Sequence, residues 1–159
     1  MSGGRWLRAR ADERVDRLLL RATVEALATS FDLARRLDPS FRRALEGFEA
    51  TYQFSHGATS HQLCISPDRI RARPGRAASA DYEVVFFDLR AALLRLRRDP
   101  SDLLGLQLEN LIEETGNIHY LFRLGYLFGL LQRRGLDASL PMRRLWRGAT
   151  ALLDRRASA

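Results

Sequence analysis

Apolar residues recur at helical spacing between Asp12 and Leu37, where Val15, Leu18, Leu19, Ala22, Ala26, Leu33 and Leu37 fall on one stripe. At ~100° per residue such a stripe is the buried side of an amphipathic helix. The span amounts to about seven turns, with Thr29-Ser30 as its expected break. In "LDPSFRRALEGF" the helix stops at Asp38, and Pro39 starts a second, short helix that runs to Gly47. Proline suits the first helical position because its missing N–H has no partner there anyway.

The period then changes from helical to alternating. Tyr52 and Phe54 alternate with polar residues, "HGATS" turns the chain, and Leu63 and Ile65 alternate again. This is the pattern of a β-hairpin. In "RIRAR", Ile70 and Ala72 take one side while Arg69, Arg71 and Arg73 take the other, which predicts a strand with one watery face. "YEVVFF", Tyr82 to Phe87, is rich in β-branched and aromatic residues and is the strongest strand signal in the chain. Asp88 is placed to cap the next helix, "LRAALLRLRR", which presents Leu89, Leu93 and Leu96 on one side. "DPSD" caps a further short turn, "LENLIEET" offers another strand, and Gly116-Asn117 turns into an apolar helix. A last helix is expected from Pro141 to Arg156.

The resulting order predicts an α+β fold with a mainly antiparallel sheet covered by helices on one face. No repeat, low-complexity segment or linker divides the chain, so residues 1–159 read as one domain. Within it, 1–47 is a helical region, 48–135 the core, and 136–159 an amphipathic C-terminal helix.

Composition narrows the function classes. An apolar fraction of 46% is that of a folded chain. Cys64 stands alone, so no disulfide framework forms and a reducing compartment is expected. The N-terminus has early arginines but no continuous apolar stretch with a small-residue cleavage site, so a cytoplasmic location is expected, with peripheral contact at the inner membrane as its variant. The formal charge is +7 and the pI about 10.8. Every basic side chain is Arg and none is Lys, a bias in keeping with a GC-rich bacterial genome. The arginines are scattered rather than blocked, which favours a solvated basic surface over a nucleic-acid arm. Nucleic acid is therefore not an expected partner.

Chemistry is sparse. His56, His61 and His119 sit in no recognisable nucleophile–base motif, and His56, His61 and Cys64 match no common zinc spacing. Glu109, Glu113 and Glu114 would serve acid–base work only if buried, and a strand end is the simpler setting for them. Asp81 and Asp88 read as a turn and a cap. The sequence thus predicts no catalytic residue, no metal ligand and no cofactor.

The apolar stretch from Ile118 to Leu131 is the feature that asks for a partner. His119 and Arg123 are its only strongly polar residues, yet it falls short of the roughly 20 apolar residues that cross a bilayer. Leu121, Leu124, Phe128 and Leu131 lie opposite a sector holding His119, Arg123, Tyr126, Arg133 and Arg134. Gly125 and Gly129 form a bare strip beside the apolar side. Each costs about 1 kcal/mol relative to Ala, so a packing reason is expected: close approach of another backbone, or room for a ligand. In "LPMRRLWRGATALLDRRASA", Met142, Leu145, Trp146, Ala149, Leu152 and Leu153 share a face against Arg143, Arg144, Arg147 and Arg155. Such a helix either packs on the core or lies in an anionic membrane interface through Trp146 and Leu153.

Several short motifs resemble the sterol-carrier-protein (SCP2-like) family of lipid-binding α+β domains. They are "AD" leading into an alternating strand (Ala80-Asp81), a helix ending at "DP" (Asp99-Pro100), and "GN" before the apolar helix (Gly116-Asn117). The resemblance spans about Phe48 to Leu131. It implies a five-stranded sheet whose helices enclose an apolar tunnel, with lipid-binding positions at Phe54, Val84, Phe86, Leu121, Leu124, Gly125, Phe128 and Leu131. Leu63-Cys64-Ile65 stand where the family carries a hairpin Trp, and Ile118 stands where Met is common. The function this implies is a non-catalytic carrier of an acyl, isoprenoid or sterol-like lipid. The alternative is an interaction module that docks a partner, or a second copy, through the helix 118–131. The residues do not set an oligomeric state.

Overall fold

The computed structural model describes residues 3–99 and 102–133. The long first helix, α1 (Gly3–Leu37), runs without an internal break to Asp38, whose extended backbone separates it from α2 (Pro39–Leu45). Thr29 and Ser30 do not interrupt it, because each hydroxyl donates at 2.8 Å to the carbonyl four residues back, on Glu25 and Ala26. The hydroxyls are thereby absorbed into the helix instead of competing with it. Asp38 then caps α2, its carboxylate accepting from the Ser40 N–H at 2.8 Å, with Pro39 at the first helical position.

Five strands follow: β1 (Ala50–His56), β2 (Thr59–Ile65), β3 (Ile70–Pro74), β4 (Tyr82–Phe86) and β5 (Ile112–Gly116), in the sheet order β3-β2-β1-β4-β5. Between β4 and β5 lie α3 (Leu89–Arg98) and α4 (Leu103–Leu108), and α5 (Ile118–Arg133) closes the described chain. The part of "LENLIEET" expected as strand is divided: Leu108 ends α4, Asn110 turns the chain with φ of 53°, and pairing begins at Ile112.

The sheet is mixed rather than mainly antiparallel throughout. β1–β2, β2–β3 and β4–β5 pair antiparallel, but β1 and β4 run parallel, with Phe54 opposite Val84. The reason is the connection after β3, which is not a tight turn: it crosses the polar face of the sheet and sets β4 beside β1. Gln53 holds that crossover, accepting from the Ala77 N–H at 2.7 Å and donating to the His61 carbonyl at 3.1 Å.

Register puts Tyr52, Phe54, Leu63, Ile65, Tyr82, Val84, Phe86 and Ile112 on one face, all buried. Thr51, Ser55, Gln62, Cys64 and Glu83 take the other. α1 lies over the β1–β2–β3 side of the apolar face. Its buried stripe is Leu20, Val24, Ala28, Phe31 and Ala34, while Leu18, Leu33 and Leu37 are 64%, 46% and 63% exposed. The stripe expected from sequence is thus split: Leu18, Leu33 and Leu37 face outward, Val15, Leu19 and Ala22 are half-buried, and Ala26 is buried. The helix is apolar on both sides, and Phe31 decides which side wins, because its ring meets Phe41 at 5.5 Å and Phe128 at 5.2 Å, edge-on.

Asp88 caps α3 through the Ala91 N–H at 3.0 Å, and Asp102 caps α4 through the Gly105 N–H at 2.9 Å. Each such cap is worth about 1 kcal/mol. The outer strand β3 is short, and its edge is closed at one end by Asp32, which accepts from the Ile70 N–H at 3.4 Å, and at the other by Pro74, which has no N–H.

Candidate functional site

Strand periodicity aims Phe54, Val84, Phe86 and Ile112 at the space beneath the helices. α1 adds Leu20, Thr23, Val24 and Leu27, α3 adds Leu93 and Leu96, α4 adds Leu103, and α5 adds Leu121, Leu124 and Phe128. Together they enclose a cavity of about 90 Å³ whose walls are almost wholly carbon. Thr23 is the one lining residue with a polar side chain, and its hydroxyl is already committed to the Leu19 carbonyl at 2.8 Å. No side chain in the wall can act as nucleophile, acid or base. What the walls can do is take apolar surface out of water, at about 25 cal/mol per Å².

The two ends of the cavity differ. At one end Tyr52, Tyr82 and Tyr120 pack edge to edge, with Tyr52 at 6.4 Å from each of the others. The Tyr52 hydroxyl donates to the Tyr120 carbonyl at 2.7 Å. Burial pushes the Tyr52 phenol well above its ordinary range, and burial together with the Glu114 carboxylate pushes Tyr82 up to about 12. Glu114 stands beside them half-buried, with Oε1 enclosed and unpartnered. Desolvation raises its pKa, and a hydrogen bond from Tyr82 offsets this in part. Arg123, in the polar sector of α5, is half-buried. Its guanidinium lies 5.1 Å from the centre of the Phe48 ring and donates to the Ala44 carbonyl at 2.6 Å, tying α5 to α2.

At the other end the closure is charged. Arg90, in the first turn of α3, donates from Nε to Asp16 of α1 at 2.7 Å, and its Nη2 reaches Asp12 at 3.4 Å. Asp16 lies 3.6 Å from His56 Nε2, and His56 Nδ1 is 2.9 Å from the Phe86 carbonyl oxygen.

Of the eight positions expected from sequence to meet a ligand, Phe54, Val84, Phe86, Leu121, Leu124 and Phe128 are brought together in this wall. Leu131 is buried in the core but not on the cavity. Gly125 is on the opposite side: a β-carbon added there, or at Gly129, meets nothing within 4 Å. Among the described residues neither glycine serves a close backbone approach. Trp146 and Leu153 lie outside the described residues. Reading the sequence missed the α1 wall, although Leu20, Val24, Leu27, Phe31 and Ala34 follow helical spacing and would have disclosed it.

The other candidate groups disperse. His61 is buried on the apolar face, where desolvation lowers its pKa, and Cys64 points to the opposite face. Among the described residues no cluster of His, Cys, Asp or Glu is arranged to hold a metal ion. Glu109 pairs with Arg95. No described helix is long and apolar enough to cross a membrane.

No family model and no curated protein matches the chain. Among solved structures, it is similar to one described as "UbiJ-SCP2 Ubiquinone synthesis protein", at 23% identity and a TM-score of 0.51, over 69% of this chain and 88% of that one. A crystal structure of sterol carrier protein 2 matches at 16% identity and a TM-score of 0.44, over 65% of this chain and 88% of that one. Sterol carrier protein 2 from Yarrowia lipolytica matches at 16% identity and a TM-score of 0.42, over 64% and 86%. The fold of this chain is SCP2-like.

Proposed function

We propose that this chain is a non-catalytic binding protein that encloses part of an acyl, isoprenoid or sterol-like molecule between its sheet and α1, α3, α4 and α5. The observation that carries this reading is the cavity wall, apolar on every side and with its single hydroxyl internally bonded. A site that lacks reactive and orienting groups suits retention of apolar surface, not its conversion. The SCP2-like fold supports the same reading, and the similar structure that is described as a ubiquinone synthesis protein keeps isoprenoid chains among the ligand classes.

The size of the cavity shapes the proposal. About 90 Å³ is well under the ~300 Å³ at which pockets begin to bury a drug-sized ligand. A long chain is therefore held only in part, or enters as the helices move apart. Lipid analysis of organic extracts, native mass spectrometry and uptake of a fluorescent fatty acid test this directly. Bound lipid, and probe uptake abolished by Val84→Phe in a protein that keeps its helical spectrum, are expected. Extracts without lipid together with no probe uptake would sink it.

A second reading rests on a different surface. Ile118, Phe122 and Tyr126 on the outer side of α5 are 60%, 68% and 51% exposed. This face supports docking of a partner helix or a second copy, and a mass that rises with concentration in sedimentation would favour it.

A further inference from the structure

We propose that Arg90, Asp16 and His56 form a clasp that governs how fast an apolar molecule enters and leaves the cavity. The proposal rests on the cavity being a ligand site, and it starts from a conflict of size: entry of a long chain requires elements of the wall to part. Each clasp residue is one step from a wall residue. Asp16 is one helical turn before Leu20, Arg90 nearly one turn before Leu93, and His56 two residues beyond Phe54 on β1. The carbonyl that His56 meets belongs to Phe86, itself in the wall. The cluster thus joins α1, β1, β4 and α3 around one end of the cavity.

Two other boundaries are poor candidates for opening. The far end is plugged by the Tyr52, Tyr82 and Tyr120 rings, and parting them would expose large apolar area and break the Tyr52 hydroxyl bond. The C-terminal half of α1 is fastened by Phe31 against Phe41 and Phe128. Among the described side chains before Leu20, residues 12–19, no ring contact of this kind anchors α1: Leu18 is 64% exposed, and Val15 and Leu19 are half-buried. The Arg90 contacts to Asp16 and Asp12 tether that segment to α3. A charged tether suits a moving boundary, because its groups are taken up by water once apart, so that opening forfeits little.

Stopped-flow mixing of the full chain with a fluorescent fatty acid, for wild type, Arg90→Gln, Asp16→Asn and Arg90→Lys, tests the clasp, alongside amide hydrogen exchange. Arg90→Gln and Asp16→Asn are expected to raise both association and dissociation rates by about tenfold, the factor for losing one charge-assisted hydrogen bond, with little change in affinity. Amide protection should fall at residues 12–20 and hold at 24–34. Arg90→Lys, which keeps the charge, should lie nearer wild type. Probe uptake with unchanged rates and unchanged protection at 12–20 in both neutral variants overturns the clasp and leaves the binding reading standing. Wild-type protein that takes up no probe overturns both.

Discussion

Gly116 rests against the backbone of Asp81, so closely that a β-carbon on it would lie 2.6 Å from the Asp81 carbonyl oxygen. The contact joins the start of β4 to the end of β5, where Tyr82 pairs with Gly116. Asp81 also fastens the parallel seam, accepting from the Thr51 N–H at 2.8 Å while its own N–H donates to the Thr51 carbonyl at 2.9 Å. On the other flank the Asn117 side chain accepts from the His119 N–H at 2.9 Å and so starts α5. The "AD" and "GN" motifs, 35 positions apart by subtraction of 81 from 116, are a single joint in space.

Gly116→Ala should therefore be strongly destabilising. It meets a clash with backbone and a φ of +131°, and strain of this kind costs about 1 to 3 kcal/mol before the clash is counted. A fall in melting temperature of more than 5 °C, by about the usual conversion for a domain of this size, is the expected measurement.

Gly125→Ala should do the reverse. The added methyl enters open space on the outer side of α5, so only the helix propensity gain of about 1 kcal/mol remains. Thermal melts should show a rise, and uptake of a fluorescent fatty acid should be unchanged, because Gly125 is not in the cavity wall.

Glu114 makes stability depend on pH. Its folded pKa is raised above the ordinary 4.5 by desolvation, so the folded state holds the proton more tightly than the unfolded chain. Its contribution is full below 4.5 and is lost as pH rises through the folded value. Glu114→Gln removes that loss. Melting curves should show the variant more stable than wild type at neutral pH, with the difference vanishing below pH 4.5.

Leu124→Ala enlarges the cavity from the α5 side. Leu124 is 3% exposed and lines the wall, so truncation should cost about 2 to 5 kcal/mol. An added apolar molecule of benzene size should return part of that stability, as ligand binding to the folded state does. Calorimetry with and without the additive reads the difference.

What was legible in the sequence was what short-range pattern encodes. Tyr82, Val84 and Phe86 alternate toward the core, and Leu121, Leu124 and Phe128 share one side of α5, and all of these but Tyr82 line the cavity. Asp38-Pro39 announced the stop and restart of the helix, and Asp88 its cap. The face of α1 was misjudged because Leu18, Leu33 and Leu37 are as apolar as Leu20, Val24 and Phe31, and only the tertiary partners Phe41 and Phe128 choose between the two sides. The parallel pairing of β1 with β4 was equally hidden, since alternation says which face a residue takes and nothing about which strand lies beside it. Helical spacing put Arg123 in the polar sector of α5 but could not show its partners, the Phe48 ring and the Ala44 carbonyl.

The closed edge of β3 bears on how this protein behaves when crowded. An unpaired strand edge invites another chain to add to it, and sheet proteins that do not guard against this form fibrils. Here Asp32 occupies the Ile70 N–H and Pro74 offers none, while Arg71 and Arg73 on the strand, with Arg69 just before it, place like charges along this edge. Any copy approaching β3 edge-on meets a taken donor, a missing donor and its own repelling arginines. The guard on this edge thus draws on α1 as well as on β3 itself, and Asp32→Ala, which frees the Ile70 N–H, should make the protein associate at high concentration, visible as light scattering on prolonged incubation.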